Sequence, residues 1–461
     1  MSRLSNTRAA LFALESLGVA ASPVLAFFLL RLRAMSPVEL PDPSMHTVYI
    51  VDPSQMFTRY AAAFASTARM REGAQAGFLV LARLCYLAFG VLPGFYATRY
   101  LLALFALVPA YLLLRSLYGI SAGFLAIAVL MSCPVVITAW GTDYPDCAVV
   151  SYVAGGVACL ALSLEARHKS PFVVAGGLLL TLSVWSHGTG VVLAATAVLS
   201  YLVICLLRAR RRVLLDGAVL VATGGLSTLG LMVASRYVLG QFNFIAPALA
   251  GVEFLNHPDQ IRQWHSANWR WAPHVAYLLV PPSVVVAFFF SFARRLRKVP
   301  SAALYVGLCA AAQLAAFSYL QFGYHVQALE MHFFSSTLWG VVCLALSLLL
   351  AEMAARLSKS PIWSLLPLAV VLGVALGYEA DPHVPAFGWW PTGTVLGAVT
   401  VLGAGVMALV NRLEVRRSKH RVGSALLPVA LCLVAVTGSL LVLTVAPSTP
   451  GTAAHAPGGR A

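Results

Sequence analysis

The sequence predicts an all-α protein that crosses a membrane many times, and its composition and hydropathy pattern support this prediction. Hydrophobic residues make up 60% of the 461 residues and charged residues only 10%. The mean hydropathy is +0.84. Soluble globular domains do not have such values. The apolar residues also gather in runs near the roughly 20 residues that a helix needs to cross about 30 Å of hydrocarbon.

The apolar runs predict about thirteen membrane spans. Each run is long enough for a helix, and polar or charged residues separate it from the next. The predicted spans are residues 9–31, 96–114, 121–141, 147–164, 170–186, 190–207, 213–238, 273–293, 301–321, 333–352, 361–378, 391–410 and 423–446.

The positions of the basic residues predict the orientation of these spans. The net charge of +15 comes largely from short clusters between spans, which favour topology as their role over nucleic-acid binding. Such clusters tend to stay on the cytoplasmic side. The clusters at 208–212, 294–298 and 412–421 all fall there if the N-terminus is cytoplasmic and the short apolar stretch 77–92 lies along the outer interface. We therefore expect an interfacial helix at 77–92.

One membrane module is expected to occupy residues 1–446, with its main external loops at 34–94 and 240–272. The tail, residues 447–461, is rich in Pro, Gly and Ala and is predicted to be disordered. The eight Cys lie in apolar segments without a metal-binding spacing, so they are predicted to be small core residues. Glu15 and Asp216 are predicted to be solvated at the cytoplasmic ends of their spans.

Acidic residues recur in the segments predicted to be external, where a charge beside the bilayer suggests a functional site. Asp52 is followed by Pro53, which biases it towards an extended backbone; a turn or helix cap is the alternative. Glu72 precedes the interfacial helix, where it also suits a cap or a solvent-facing position. Asp143 and Asp146 flank Pro145, and an acid at the start of the following helix also complements the helix dipole.

Cations and histidines occur in the same external segments. Arg59, His187 and Arg270 are candidate phosphate ligands. The alternative for Arg59 is an interfacial cation. The alternative for His187 is a polar residue in a helix break, and that for Arg270 is an aromatic belt with a stacked cation. His325 and His332 belong to a later loop and have no recognised metal-ligand spacing. Acceptor binding or loop polarity is the expectation for these two histidines.

Several motifs, in order along the chain, resemble the C-type glycosyltransferase superfamily (GT-C). The resemblance is to the protein O-mannosyltransferase-like branch that includes the lipid A aminoarabinose transferase, and it covers roughly residues 10–290. The motifs are Thr58-Arg59-Tyr60-Ala61, Glu72 before Leu87-Ala88-Phe89-Gly90, Arg99 and Arg115, Gly141 to Asp146, Trp185-Ser186-His187-Gly188, and Asn268 to Pro273.

Two positions depart from the family pattern. If Thr58-Arg59-Tyr60 sets the register, the paired acidic residues of the family fall at Met56 and Phe57, so the acid is expected to come from Asp52. The family often has a lysine where this chain has His187. A histidine carries a full positive charge only at mildly acid pH.

The resemblance implies a GT-C fold with juxtamembrane helices in the first external loop. It implies transfer of a sugar from a polyprenyl-phosphate donor to an acceptor hydroxyl outside the cytoplasm, with a glycan, lipid or protein as acceptor. Asp52 is the expected general base, and Glu72 and Asp146 are further catalytic candidates. The expected substrate-binding residues are Arg59, Tyr60, Asp143, His187, Arg270, His325 and His332.

The expected location is the bacterial plasma membrane, with the active face extracytoplasmic. The lipid bilayer is an expected partner, and nucleic acid is not. No metal site is assigned from the sequence, and dependence on a divalent metal stays open. A lipid or solute transporter is the alternative function, as is a degenerate relative that binds a lipid carrier without turnover.

Overall fold

The computed structural model describes residues 13–24, 47–53, 75–133, 136, 139–140, 145–166, 169–208, 210–240, 275–292, 299–323 and 332–357. Within these ranges the regular structure is helical and no strand occurs. Two helices in the N-terminal part are α1 (residues 13–24) and α2 (residues 47–51). The later helices are α3 (Ala76–Phe89), α4 (Val91–Tyr118), α5 (Ile120–Ser132), α6 (Pro145–Glu165), α7 (Ser170–Val184), α8 (Gly188–Arg208), α9 (Val213–Val238), α10 (Val275–Phe292), α11 (Ser301–Phe322) and α12 (His332–Leu357).

Six helices in the described ranges are long and apolar enough to cross a bilayer. They are α4, α6, α8, α9, α11 and, in α12, the segment Ser336–Met353. Shorter apolar segments are α3, Ile120–Met131 of α5, α7 and Val280–Phe292 of α10. In the ranges given above the chain is thus all-helical, and its apolar helices are those of a polytopic membrane protein, as predicted. The predicted spans 361–378, 391–410 and 423–446 lie outside the described residues, so the count of about thirteen stays a prediction.

The predicted span 121–141 is wrong in one respect, because its helix stops early. Helix α5 ends at Ser132, and Cys133 has the extended backbone angles φ −76° and ψ 109°. Cys133 precedes Pro134, and a proline sterically disfavours the helical conformation of the residue before it.

Helix α6 lies at the centre of the described bundle and is buried along almost its whole length. Close helix crossings depend on two of its glycines. A Cβ atom at Gly155 would clash with the carbonyl oxygen of Phe105 in α4, and one at Gly156 would lie 2.9 Å from Cγ of Leu180 in α7. Small residues let helices approach closely where lipid supplies no hydrophobic drive for association. These glycines therefore fix α4 and α7 against α6.

The end of the bundle that contains the last turns of α4, α6 and α8 carries polar contacts between helices. Glu15 of α1 lies 2.8 Å from Nε of Arg115 and accepts a hydrogen bond of 2.9 Å from the Tyr111 hydroxyl. Asp216 is only 7% exposed and accepts a hydrogen bond of 3.0 Å from Tyr201. The prediction that Glu15 and Asp216 are solvated is therefore wrong, because neighbouring helices supply their partners.

Helix α3 folds back along the first turns of α4. The two helices meet at Gly90, whose φ of 84° is a left-handed conformation that glycine adopts without strain. Gly94 lies so close to Cys85 and Tyr86 that a Cβ there would contact their backbone. Helix α3 covers most of the predicted helix 77–92 and is about 21 Å long at 1.5 Å per residue; its position at the membrane interface stays a prediction.

Candidate functional site

Two helices begin beside one another at the end of the bundle opposite Glu15 and Asp216. Helix α6 begins at Pro145, with Asp146 in its first turn, and α8 begins at Gly188, directly after His187. Nδ1 of His187 lies 3.8 Å from Oδ1 of Asp146. The Asp146 side chain is 2% exposed and that of His187 is 13% exposed. The structure therefore brings together two of the residues that the sequence marked as candidates.

His187 also caps α8. The Thr189 amide donates a hydrogen bond of 3.3 Å to Nδ1 of His187, and the Thr189 hydroxyl lies 3.0 Å from the same nitrogen. A side chain that accepts from the second amide of a helix is an N-cap. Because the amide donates to Nδ1, the neutral ring carries its proton on Nε2. His187 thus offers an Nε2–H donor while its other nitrogen holds the helix.

Arg99 is a buried cation at the same end of the bundle. It is 0% exposed, nine residues into the long apolar helix α4. Its guanidinium carbon lies 4.5 Å from the ring centroid of Phe95 and 5.6 Å from that of Phe78. Its Nη1 lies 3.5 Å from Sγ of Cys147, the residue after Asp146. Two cation–π contacts thus hold Arg99 next to the first turn of α6.

Arg99 belongs to a motif of the family resemblance and was not among the residues predicted for the site. A signal was present, since an arginine inside an apolar helix is a functional-site hypothesis by default. What the sequence does not show is that Phe78, from another helix, comes to lie against this arginine.

The site is electrostatically positive on balance. The N-terminal ends of α6 and α8 each carry a partial positive charge from the helix dipole. Arg99 adds a full positive charge. Among the described side chains of this cluster, Asp146 contributes the negative charge. Helix N-termini with a nearby guanidinium are suited to an anion such as phosphate.

Helix α3 is docked onto this site through Gly77. The Gly77 amide donates a hydrogen bond of 2.7 Å to the carbonyl of Trp185, and the Tyr152 hydroxyl of α6 donates one of 3.2 Å to the carbonyl of Gly77. A Cβ atom at Gly77 would clash with the carbonyl oxygen of Leu182. Only glycine therefore lets α3 approach the turn that carries His187.

Asp52 stands just after the short helix α2, which is anchored in the core by the buried Tyr49 and Ile50. Its amide donates a hydrogen bond of 2.7 Å to the carbonyl of Val48. Nη1 of Arg83 in α3 donates to the carbonyl of Ile50 at 2.9 Å and to the carbonyl of Val51. Asp52 is half-buried. The Arg83 bonds connect the end of α2, and so Asp52, to α3. The same helix docks through Gly77 on the turn before His187.

For the other predicted site residues the structure describes no side chain. His332 begins α12, but its side chain is outside the described part of the chain. The remaining candidates also lie outside the described residues, and they are Glu72, Arg59, Tyr60, Asp143, Arg270 and His325. In the part of the chain that the structure describes, no group of three or more His, Cys, Asp or Glu side chains suits a metal ion.

Comparison with known proteins identifies the fold. No protein-family model matches the chain, and no curated protein matches it. Two solved structures resemble it: ArnT from Cupriavidus metallidurans bound to undecaprenyl phosphate, and ArnT from the same organism in the apo state. In both comparisons the TM-score is 0.53 and the sequence identity 16%, over 93% of this chain and 76% of the ArnT chain. The chain therefore shares the fold of ArnT.

Proposed function

We propose that this chain is a membrane glycosyltransferase that moves a sugar from a polyprenyl-phosphate donor to an acceptor hydroxyl on the extracytoplasmic side of the bacterial plasma membrane. The observation that carries the proposal is the cluster of Asp146, His187 and Arg99 where α6 and α8 begin. A buried carboxylate and a buried arginine at one end of the bundle are costly in a membrane protein and are typical of a functional site. The ArnT-like fold supports a lipid-phosphate substrate, because ArnT has been solved with undecaprenyl phosphate bound.

The positive cluster suits the phosphate of the donor. When the sugar departs, the phosphate oxygen that it leaves gains negative charge, and oriented donors nearby lower the energy of that state. Arg99 and the Nε2–H of His187 are the donors proposed for this role. The helix N-termini add partial positive charge that needs no reorganisation during the reaction.

Asp52 is the proposed general base. It takes the proton of the acceptor hydroxyl as the acceptor oxygen forms a bond to the anomeric carbon. The bond between that carbon and the phosphate oxygen breaks, and its electron pair stays on the phosphate. The products are the glycosylated acceptor, polyprenyl phosphate and a protonated Asp52, which returns its proton to water. A phosphate is a good enough leaving group that no general acid is required.

Asp146 is proposed to orient His187, whose Nδ1 lies 3.8 Å from Oδ1 of Asp146. Glu72 is proposed to assist with the acceptor or the donor sugar. The remaining substrate contacts stay as predicted from the sequence, and they are Arg59, Tyr60, Asp143, Arg270, His325 and His332.

The distribution of basic residues supports an extracytoplasmic site. The end of the bundle opposite Asp146 carries a set of basic residues that includes Arg115, Lys169, Arg208 and the turn Arg210–Arg212. Because basic residues near span ends favour the cytoplasmic side, this end is assigned to the cytoplasm. Asp146, His187 and Arg99 then belong to the outer half of the protein.

A transfer assay tests the proposal. Purified protein in lipid nanodiscs is given polyprenyl phosphates that carry radiolabelled mannose, arabinose or aminoarabinose, together with sugar, lipid and hydroxyl-peptide acceptors. We expect sugar to appear on at least one acceptor, and Asp52→Asn to lower this rate by about 100-fold or more. Carrier binding without any sugar release would identify a degenerate binder. Sealed vesicles that accumulate intact labelled donor or solute would identify a transporter.

A further inference from the structure

The contact between Arg83 and α2 gives Arg83 a role that its position in the sequence does not suggest. The last carbonyls of a helix have no partners within the helix, and they favour a nearby cation. Arg83 supplies a hydrogen-bond donor and a positive charge at the end of α2, because its Nη1 donates to the carbonyls of Ile50 and Val51. These two residues directly precede Asp52.

An arginine on the surface of an interfacial helix ordinarily extends to water or lipid headgroups. Arg83 is flanked on α3 by the exposed apolar side chains of Leu84 and Leu87, so such a position is available to it. Its guanidinium instead contacts backbone carbonyls that lie more than thirty positions away in the sequence. The contact therefore joins two distant parts of the first external loop.

Helix α3 also contacts the cluster of Asp146, His187 and Arg99, which is proposed to bind the phosphate. Gly77 of α3 bonds to the Trp185 carbonyl, and Phe78 contacts Arg99. Arg83 is six residues after Gly77 in α3, which corresponds to about 9 Å of helix. A rigid helix with one end bonded near His187 and a later turn bonded beside Asp52 fixes the separation of these two groups.

We infer that Arg83 is a positioning residue for Asp52: it holds the end of α2 against α3 and so keeps the general base at a set distance from the Asp146, His187 and Arg99 cluster. This inference rests on the proposed function. Small displacements of a reacting group slow a reaction strongly, by up to about 100-fold for 1 Å. Loss of Arg83 therefore lowers turnover while leaving the phosphate-binding residues in place.

The test is a double-mutant cycle between Arg83→Met and Asp52→Asn in the full-length protein. Arg83→Met is expected to lower kcat by about 10- to 100-fold with little change in the KM for the donor. Arg83→Lys, which keeps a donor and the charge, is expected to recover part of this loss. In the Asp52→Asn background the same Arg83→Met change is expected to have no further effect on the residual transfer, because the base that it positions is already absent.

Arg208→Met is the matched control, because Arg208 also donates to a backbone carbonyl, that of Val299, but at the other end of the bundle. It is expected to leave kcat unchanged. An unchanged kcat for Arg83→Met, or an equal loss in the wild-type and Asp52→Asn backgrounds, overturns the inference.

Hydrogen exchange separates this inference from the proposed function. Arg83→Met is expected to speed exchange of the Asp52 amide, which bonds to the Val48 carbonyl, and to leave residues 183–190 unchanged. Unchanged exchange at Asp52 overturns the positioning role. Wild-type turnover in Asp52→Asn refutes Asp52 as the base instead, and the exchange result still decides whether Arg83 holds that segment.

Discussion

Nδ1 of His187 lies 3.8 Å from Oδ1 of Asp146, although the two side chains belong to the starts of different helices. Both residues also serve their own helix, His187 as an N-cap and Asp146 as an acid in the first turn. Each local role alone is ordinary. Their meeting beside the buried Arg99 is what makes this end of the bundle a candidate site.

Asp146→Asn is expected to lower the rate of sugar transfer by about 10- to 100-fold while leaving the fold intact. Asparagine keeps the shape of the side chain but removes the charge that faces His187. The measurement is the initial rate of sugar release with purified protein. Asp216→Asn is the control, because Asp216 is also buried but accepts from Tyr201 at the opposite end. Asp216→Asn is expected to lower the free energy of unfolding by about 1–3 kcal/mol without changing the rate of transfer. Equal losses of transfer in the two variants would contradict the assignment of Asp146 to the site.

His187→Asn is expected to weaken binding of undecaprenyl phosphate by about 10-fold, because it removes the Nε2–H donor proposed for the phosphate. Asparagine is itself a favourable N-cap residue, so the start of α8 and the free energy of unfolding should change little. The measurements are the Kd for undecaprenyl phosphate in nanodiscs and thermal unfolding. An unchanged Kd would rule out His187 as a phosphate ligand.

Arg99→Met is expected to weaken binding of the carrier phosphate by about 10-fold or more without lowering the thermal stability. Methionine fills a similar volume between Phe78 and Phe95, and removal of a buried charge also removes its desolvation cost. Arg99→Lys should recover little affinity, because an ammonium lacks the planar guanidinium. The measurements are the melting temperature and the Kd for undecaprenyl phosphate.

The control for Arg99 is Arg115→Met at the opposite end, which breaks the contact with Glu15. It should lower stability and leave the Kd unchanged. A large fall in the melting temperature of Arg99→Met with normal carrier binding would show that Arg99 is structural only.

Gly77→Ala is expected to lower the free energy of unfolding by about 1–3 kcal/mol, because the added methyl group overlaps the Leu182 carbonyl. Transfer should fall as well, since α3 must move away from the turn before His187. Gly225→Ala is the matched control in α9, where a Cβ atom meets nothing within 4 Å. It should be neutral or slightly stabilising. Thermal unfolding of both variants, with hydrogen exchange of residues 182–190, checks the prediction, and similar behaviour of the two variants would contradict it.

The sequence predicted helix positions well where charged residues bound an apolar run. The predicted span 213–238 coincides with α9, and the span 147–164 lies within α6. The prediction failed just before Pro134, where hydropathy stays high but Cys133 is extended and α5 ends at Ser132. Hydropathy reports burial in lipid and does not report local backbone sterics.

The site was predictable only in part. Asp146 and His187 stand out because they are polar residues at the ends of apolar runs. The partners of Arg99 and Arg83 come from other helices, so no local pattern in the sequence indicates them. For the same reason Glu15 and Asp216 were expected to be solvated, whereas Tyr111 and Tyr201 bond to them.

The location of the carrier phosphate tests the central claim most directly. A polyprenyl phosphate with a photoreactive group next to its phosphate is crosslinked to the protein in nanodiscs, and the modified peptides are identified by mass spectrometry. We predict modification within residues 75–99, 145–152 and 183–190, which surround Asp146, His187 and Arg99, and competition by unlabelled undecaprenyl phosphate. Competed crosslinks confined to residues 111–118, 163–169 and 201–216, at the other end of the bundle, would contradict the account.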